Sequence, residues 1–304
     1  MSRKRKSHVL GIIGFLLALG SLVAATPARA LTEVRTDSIR SAEQIVHLEG
    51  QRYEPKRVLV ILDVDSTLLT PYSDLGSSFW TSWQFALLKT PELEPEQVTT
   101  NLEGLYVITN VIRGKNLMRT VEPETAAVVN GIQKDGFPTI ILTGQPPMMR
   151  KTAEWQLREN GMTFTKSAIG HDVPGTWKIG KGFDTADLTE KEIQTFDLTK
   201  PRDVSYRNGI FLVHDQHKGA MLRGLLHRLG LSDAFSAIVF VDDSGTNMKD
   251  MKAGFDGRPG LNLTNMLYTH EYPRIERFKA GDKWDVIAAF QQIRPTLPRS
   301  ALAH

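Results

Sequence analysis

The stretch RVLVILDVDSTLL (57–69) decides the fold of this chain. Its apolar residues form a short, β-rich run that is flanked by polar residues. Such a run is typical of a strand that is buried on both faces, as strands are in parallel sheets. The run ends in the carboxylates of Asp63 and Asp65 and in a hydroxyl side chain. The sequence therefore predicts a central parallel strand with reactive side chains at its carboxyl end.

Three further apolar runs are predicted to be strands, and amphipathic stretches of about 12 residues are predicted to be helices between them. The predicted strands are FPTIILTG (137–144), NGIFLVH (208–214) and the start of SAIVFVDDSGTNMKDM (236–251). The predicted helices cover 122–136, 148–161, 217–230 and 283–293. This alternation predicts an α/β fold, a Rossmann-like parallel sheet with helices on both faces.

Residues 71–118 have a helical pattern, are rich in aromatic side chains, and follow the first predicted strand directly. We expect them to form a small helical cap that is inserted into an α/β core of residues 31–70 and 119–304. Other segments have weaker patterns. We expect a polar lead-in with some helix at 31–55, a strand at 162–170 and an irregular insertion at 171–205.

The first thirty residues have the pattern of a secretory signal peptide. Arg3-Lys4-Arg5-Lys6 precede an apolar run (9–25), and Ala28 and Ala30 occupy the small-residue positions of a cleavage site. Cleavage is predicted after Ala30, which indicates a periplasmic or secreted protein that has no membrane contact afterwards. An uncleaved membrane anchor is the alternative, although the run is at the lower limit of the about 20 residues that span a bilayer.

Composition excludes several function classes. The chain has no cysteine, so disulfides, thiolate metal sites and a cysteine nucleophile are excluded. The formal charge of +3 comes from the leader, because five of the 37 basic residues and none of the 34 acidic residues lie in 1–30. The remaining chain has 32 basic and 34 acidic residues, so charge gives no support for a nucleic-acid partner.

Polar side chains follow three of the predicted strands, and ligands of such sheets bind at the carboxyl ends of strands. These side chains are Asp63 and Asp65, then Thr143, then Asp242 and Asp243, with Lys218 at the start of the helix after the third apolar run. Each alone is compatible with a helix cap, a turn or an exposed surface. Together they predict a site in which four converging carboxylates need a divalent cation, and oxygen ligands select Mg²⁺, Mn²⁺ or Ca²⁺. A cation, an ammonium and a hydroxyl form a receptor for phosphate, which predicts phosphoryl transfer through an aspartyl-phosphate.

DVDST (63–67) after an apolar strand resembles the first motif of the haloacid dehalogenase-like (HAD) superfamily. Thr143, Lys218 and the group Asp242, Asp243 and Asn247 resemble its other three motifs, in order, over about residues 57–265. The segment TPYSDLGSSFWTSWQ (70–84) has a looser likeness to a family of secreted bacterial HAD-like proteins with no assigned function.

The resemblance implies a role for each matched residue. Asp63 would be the nucleophile and Asp65 the general acid/base, with its backbone carbonyl on Mg²⁺. Thr143 would bind a phosphoryl oxygen, and Lys218 would neutralise Asp63 and the phosphate. Asp243 would be the metal carboxylate with Asp242 beside it, directly or through water, and Asn247 would hold that loop or a metal-bound water. Gln145 stands where many relatives have an arginine, which leaves phosphate affinity and substrate choice open.

These observations lead us to expect a secreted, Mg²⁺-dependent phosphatase that hydrolyses small phosphate esters. The alternatives are a non-catalytic protein that binds a phosphorylated ligand or a partner on a HAD scaffold, and a phosphomutase or phosphotransferase. The aromatic residues Phe79, Trp80, Trp83 and Phe85 either line a pocket or pack the cap against the core. His214 and His217 either bind substrate or serve as surface or capping residues. The sequence leaves the oligomeric state open.

Overall fold

The computed structural model describes residues 31–90, 94–185, 187–256 and 258–302, so the predicted signal peptide lies outside the described residues. The strands are β1 (Leu31–Thr36), β2 (Val58–Leu62), β3 (Leu69–Pro71), β4 (Met118–Thr120), β5 (Thr139–Thr143), β6 (Ser205–Arg207), β7 (Ile210–Leu212), β8 (Ala237–Asp242) and β9 (Asn262–Tyr268). Seven of them form one sheet in the order β1-β9-β8-β2-β5-β7-β6. All neighbours are parallel except β6 and β7, which confirms the predicted α/β fold with a mostly parallel sheet.

Helices follow or precede almost every strand of this sheet. They are α1 (Ile39–Tyr53), α2 (Ser78–Leu87), α3 (Leu102–Lys115), α4 (Thr125–Lys134), α5 (Arg150–Glu159), α6 (Glu190–Thr195), α7 (Lys218–Arg228), α8 (Gly245–Gly254), α9 (Tyr272–Ala280) and α10 (Trp284–Ile293). The helices predicted at 122–136, 148–161, 217–230 and 283–293 are confirmed as α4, α5, α7 and α10. None of the helices in the described ranges is long and apolar enough to cross a bilayer.

The central strand β2 is covered on both faces because its side chains alternate. Val58, Val60 and Leu62 belong to a core cluster that includes apolar residues of α1, α4 and α5. Leu59 and Ile61 belong to a second cluster with apolar residues of α7 and α8. Helices therefore cover both faces of the sheet and leave the carboxyl ends of its strands as an open edge.

A third apolar cluster lies beside that edge. Strands β3 and β4 pair with each other in a separate antiparallel sheet and bring the two ends of the aromatic segment together. Between these strands, α2 and α3 pack against α9 and α10 from the other end of the chain. The side chains of this cluster include Phe79, Trp80, Leu105, Ile108, Ile112, Phe278, Val286 and Phe290.

Three features of the main sheet differ from the expectations. The lead-in contains β1 as well as the expected helix, and β9 was not predicted because Asn262, Thr264 and Asn265 interrupt its apolar pattern. Two of these side chains donate hydrogen bonds inside the protein, Asn262 to Glu49 and Asn265 to the carbonyl of Met248. The strand predicted at 162–170 is wrong, because β7 occupies the position beside β5.

Candidate active site

Asp63 directly continues the central strand. Its N–H donates to the carbonyl of Val241 at 3.0 Å, so the end of β2 lies against the end of β8. The chain then turns sharply through Ser66, which has a φ of 59° and donates its N–H to the carbonyl of Leu69. This turn places the side chain of Asp65, two residues after Asp63, at the same edge of the sheet.

Lys218 joins two of the predicted acidic residues. Its Nζ lies 2.6 Å from Oδ1 of Asp63 and 2.6 Å from Oδ2 of Asp242. The lysine is only 2% exposed, although it is the first residue of α7. His217 caps that helix, because its Nδ1 accepts the N–H of Ala220, which agrees with the capping alternative for this histidine.

After β7 the backbone makes a strained turn, and this turn packs the segment before Lys218 against the segment that follows Thr143. His214 and Asp215 both have left-handed backbone angles, with φ of 56° and 50°, and such strain is concentrated at functional sites. The N–H of Asp215 donates to the carbonyl of Gly144 at 2.7 Å. A Cβ on Gly144 would lie 2.6 Å from Oδ1 of Asp215, so a larger residue here would displace that carboxylate. Thr143 and Lys218 are thereby held beside one another.

Asp242 and Asp243 have different surroundings. Asp242 is fully buried, and its two oxygens accept hydrogen bonds from Lys218, from Nδ2 of Asn247 and from the N–H of Ser244. No described residue donates a hydrogen bond to the carboxylate of Asp243, which borders a large cavity. The carboxylate oxygens of Asp243 are therefore available to bind a cation. The carboxylate of Asp242 is held in place by Asn247.

Three carboxylates form a group that suits a hard cation. Ligand oxygens of Asp63, Asp242 and Asp243 all lie within 4.8 Å of one another. Oxygen-only donors at this spacing fit Mg²⁺ or Ca²⁺. The fourth predicted carboxylate, Asp65, borders the same cavity but is not part of this group. Its Oδ2 accepts from Nη1 of Arg113 at 2.9 Å and from Nε2 of Gln145 at 3.0 Å. Cationic and amide donors satisfy that oxygen in place of a metal.

The electrostatics of this group explain why it requires cations. Burial, together with the charges of Asp242 and Asp65, raises the pKa of Asp63 to about 7, although Lys218 opposes the shift. Burial and the charges of Asp242 and Asp63 raise the pKa of Asp243 well above its usual value. Burial disfavours the ammonium of Lys218, but Asp242 and Asp63 outweigh this and raise its pKa. One buried lysine therefore does not compensate the three carboxylates fully.

The raised pKa of Asp63 predicts a pH-dependent stability in the absence of metal. Between about pH 4 and pH 7 the folded protein retains a proton that the unfolded chain has lost, so the free energy of unfolding falls as the pH rises. Asp63→Asn removes this contribution. In a chelating buffer we expect the variant to be more stable than the wild type at pH 7.5, by roughly a few kcal/mol at about 1.4 kcal/mol per pKa unit.

Urea unfolding of both proteins at pH 4, 5.5, 7 and 7.5 measures this difference. It should be near zero at pH 4, grow through the interval and stop growing above pH 7. A difference that is constant across this range would show that Asp63 has an ordinary pKa in the folded protein.

The site also contains residues that the sequence patterns did not single out. Arg113 of α3 is buried and donates to the carbonyl of Gly76 as well as to Asp65. On the same helix, the hydroxyl of Tyr106 donates to Oδ2 of Asp215 at 2.6 Å. The sequence did contain a signal for Arg113. This residue falls on the apolar stripe of α3, where a charged side chain needs a buried partner.

The aromatic residues of the segment 71–118 divide between the two expected roles. Trp80 is fully buried and packs against Phe290, 6.4 Å between ring centroids, so it belongs to the apolar cluster. Phe79, Trp83 and Phe85 border a cavity of about 1490 Å³ that extends to Asp63, Thr143 and Lys218. Both roles are therefore present, and Phe79 and Trp83 combine them because they also pack in the apolar cluster. His214 packs edge-on against the ring of Tyr106.

A family model matches most of the chain. Residues 36–295 match the family described as "Protein of unknown function (DUF2608)". No curated protein matches the chain. The expected likeness to a family without an assigned function is confirmed in that general form.

Proposed function

The chain belongs to the DUF2608 family, and we propose that this member is a Mg²⁺-dependent phosphatase that acts on phosphate monoesters. One observation carries the proposal: a buried lysine bridges Asp63 and Asp242 at 2.6 Å, beside Asp243, where a parallel sheet opens into a cavity. Once a divalent cation compensates the carboxylates, this position, with the ammonium of Lys218 and the hydroxyl of Thr143, would suit a phosphoryl group better than a neutral ligand.

In the first step, Asp63 is the nucleophile. Lys218 holds its Oδ1, so the other oxygen attacks phosphorus while the bond from phosphorus to the ester oxygen breaks. Asp65 gives a proton to that leaving oxygen. Both donors to Asp65 contact Oδ2, which leaves Oδ1 to carry this proton. When bound by Asp63, Asp243 and the Asp65 carbonyl, Mg²⁺ would supply charge neutralisation and orientation of the phosphoryl oxygens.

In the second step, the aspartyl-phosphate is hydrolysed. Asp65, now ionised, takes a proton from water as the water oxygen attacks phosphorus. The bond from phosphorus to Asp63 breaks, which releases inorganic phosphate and regenerates the carboxylate. Thr143 and Lys218 stabilise the phosphoryl oxygens in both steps, because their side chains border the same end of the cavity.

The finer assignments follow from the same residues. The ordered positions of Asp63, Thr143, Lys218 and Asp243 support membership of the HAD superfamily. The two helices α2 and α3 over the open edge support a cap formed by 71–118. The pattern of residues 1–30 supports a periplasmic or secreted location.

Metal removal tests the proposal. The purified protein should release phosphate from phenyl phosphate in Mg²⁺, lose this activity in excess EDTA and regain it when Mg²⁺ is restored. We expect the rate to fall at least about 100-fold on chelation, because an uncompensated anionic site repels the substrate. Phosphate production is measured by colorimetry, with the protein-free reaction as the control.

Two other results would contradict the proposal. Tight binding of inorganic phosphate in calorimetry without any turnover would identify a binding protein. Transfer of the phosphoryl group to an added alcohol, in preference to water, would identify a phosphotransferase.

A further inference from the structure

The cavity at the site is larger than a small phosphate ester requires. It has a volume of about 1490 Å³, whereas pockets for small ligands usually span about 300–1,000 Å³. The phosphoryl group needs only the end that is formed by Asp63, Thr143 and Lys218. The remainder lies between the helices α2 and α3 on one side and α9 and α10 on the other.

Large apolar side chains line much of the far end of this cavity. We define the outer wall as Phe79, Trp83, Phe85, Phe278, Trp284 and Ile287, which come from α2, α9 and α10. Phe278 holds the wall together through ring contacts with Phe79 at 5.0 Å and Trp83 at 6.1 Å. In contrast, Phe85 remains 40% exposed and Trp284 73% exposed. Large exposed rings around a cavity are typical of a surface that an apolar ligand covers.

The charges near the outer wall do not select a second anionic group. Nζ of Lys283 donates to the carbonyls of Phe278 and Gly281, and Lys279 pairs with Glu276 at 2.9 Å. Nζ of Lys89 lies over one face of the Phe85 ring, 4.2 Å from its centroid, which leaves the other parts of that ring to a ligand. The acidic residues Glu96, Glu276 and Asp282 also border the cavity. A diphosphate or a dicarboxylate would therefore meet mixed charge here, whereas a neutral apolar group would bury the exposed rings.

We infer that the substrate is a phosphate monoester of a large apolar alcohol, with its chain or ring against the outer wall. This inference rests on the proposed phosphatase activity. The phosphoryl group lies at Asp63 and the carbon skeleton extends along α2 towards α10. Binding of the skeleton accounts for the exposed positions of Phe85 and Trp284.

Two series of esters with leaving alcohols of similar acidity test the inference. One series is ethyl, butyl and octyl phosphate, and the other is 2-phenylethyl and 2-naphthylethyl phosphate. Each methylene that is fully buried should increase kcat/KM about fourfold. We expect kcat/KM for octyl phosphate to exceed that for ethyl phosphate at least about 30-fold. The comparison of the two series distinguishes a chain from a ring.

Matched variants locate the effect. Trp284→Ala and Phe85→Ala should each lower the octyl-to-ethyl ratio of kcat/KM about 5- to 10-fold. Tyr72→Ala is the control, because Tyr72 is an aromatic residue that is 69% exposed and does not border the cavity. Its ratio should equal that of the wild type.

The outcomes separate the inference from the proposed function. An active enzyme with equal kcat/KM for all the esters, or one whose ratio is unaffected by Trp284→Ala, would overturn the inference and leave the phosphatase intact. Calorimetry with ethyl- and octylphosphonate, which cannot be hydrolysed, gives a readout without turnover. The protein could bind octylphosphonate more tightly than ethylphosphonate, lose this preference in Trp284→Ala, and yet hydrolyse none of the esters. That result would support the apolar site and overturn the proposed phosphatase activity.

Discussion

Asp63→Asn is expected to lower kcat by at least about 10⁴-fold, since loss of a nucleophile that acts as a unit with its partners has effects of this size or larger. The amide that replaces the carboxylate has no anionic oxygen to attack phosphorus. The fold should tolerate the change, because Lys218 keeps its contact with Asp242 at 2.6 Å. Phosphate release from phenyl phosphate in saturating Mg²⁺ measures the loss.

Two controls make this result specific to the nucleophile. Asp233→Asn removes an exposed carboxylate in the turn after α7 and should keep wild-type kcat. Acid quenching of the wild type with ³²P-labelled substrate should trap label on protein, and Asp63→Asn should trap none. Turnover by a folded Asp63→Asn protein within tenfold of wild type would assign the attack to another group.

The variant should lose activity while it gains stability. Removal of the carboxylate of Asp63 relieves the cost of its burial and its repulsion by Asp242 and Asp65, which together raise its pKa to about 7. A residue with only a structural role would behave differently, because its substitution lowers both the stability and the activity. The combination of an inactive and a more stable protein in chelating buffer is therefore characteristic of a residue retained for chemistry.

The central part of the fold could be predicted because its physical signals are local. The apolar run before Asp63 and the run before Asp242 are uninterrupted, and each ends in carboxylates. Parallel strands bring their carboxyl ends to one edge whatever the length of chain between them. Strand order therefore predicted that Lys218, Asp63 and Asp242 lie at one edge of the sheet, although 155 residues separate Lys218 from Asp63. The resemblance implied the contact of Lys218 with Asp63, whereas its contact with Asp242 was not predicted.

The rest depends on contacts that no local pattern contains. Strand β9 has polar residues that donate hydrogen bonds to Glu49 of α1 and Met248 of α8, so its sequence is not typical of a buried strand. The packing of α9 and α10 against α2 and α3 joins segments from opposite ends of the chain. We predicted from the sequence that residues 119–304 belong only to the α/β core. The helices α9 and α10 of this segment also form one side of the cavity. The direction of the Asp65 side chain likewise depends on Arg113, which lies 48 residues further along.

Arg113→Met is expected to lower kcat/KM about 100-fold, because it removes a donor that orients the carboxylate of Asp65. The guanidinium contacts Asp65 at 2.9 Å from a buried position, and loss of a comparable donor at an active site costs about 2.7–4 kcal/mol. Without it, the carboxylate that moves the proton loses its orientation. Arg113→Lys should recover only part of the rate, because an ammonium does not reach Asp65 and the carbonyl of Gly76 in the same geometry.

A second substitution distinguishes positioning from general stability. Nε2 of Gln145 already reaches the same oxygen of Asp65 at 3.0 Å, so Gln145→Arg places a guanidinium beside it. When Gln145→Arg is added to the Arg113→Met protein, we expect kcat/KM to increase at least about tenfold. Arg223→Met is the matched control: this buried arginine pairs with Asp187 and Glu192, outside the cavity. It should lower the melting temperature without changing kcat/KM of the folded enzyme. If Arg113→Met behaves like that control and Gln145→Arg restores nothing, Arg113 stabilises the fold and does not position the proton donor.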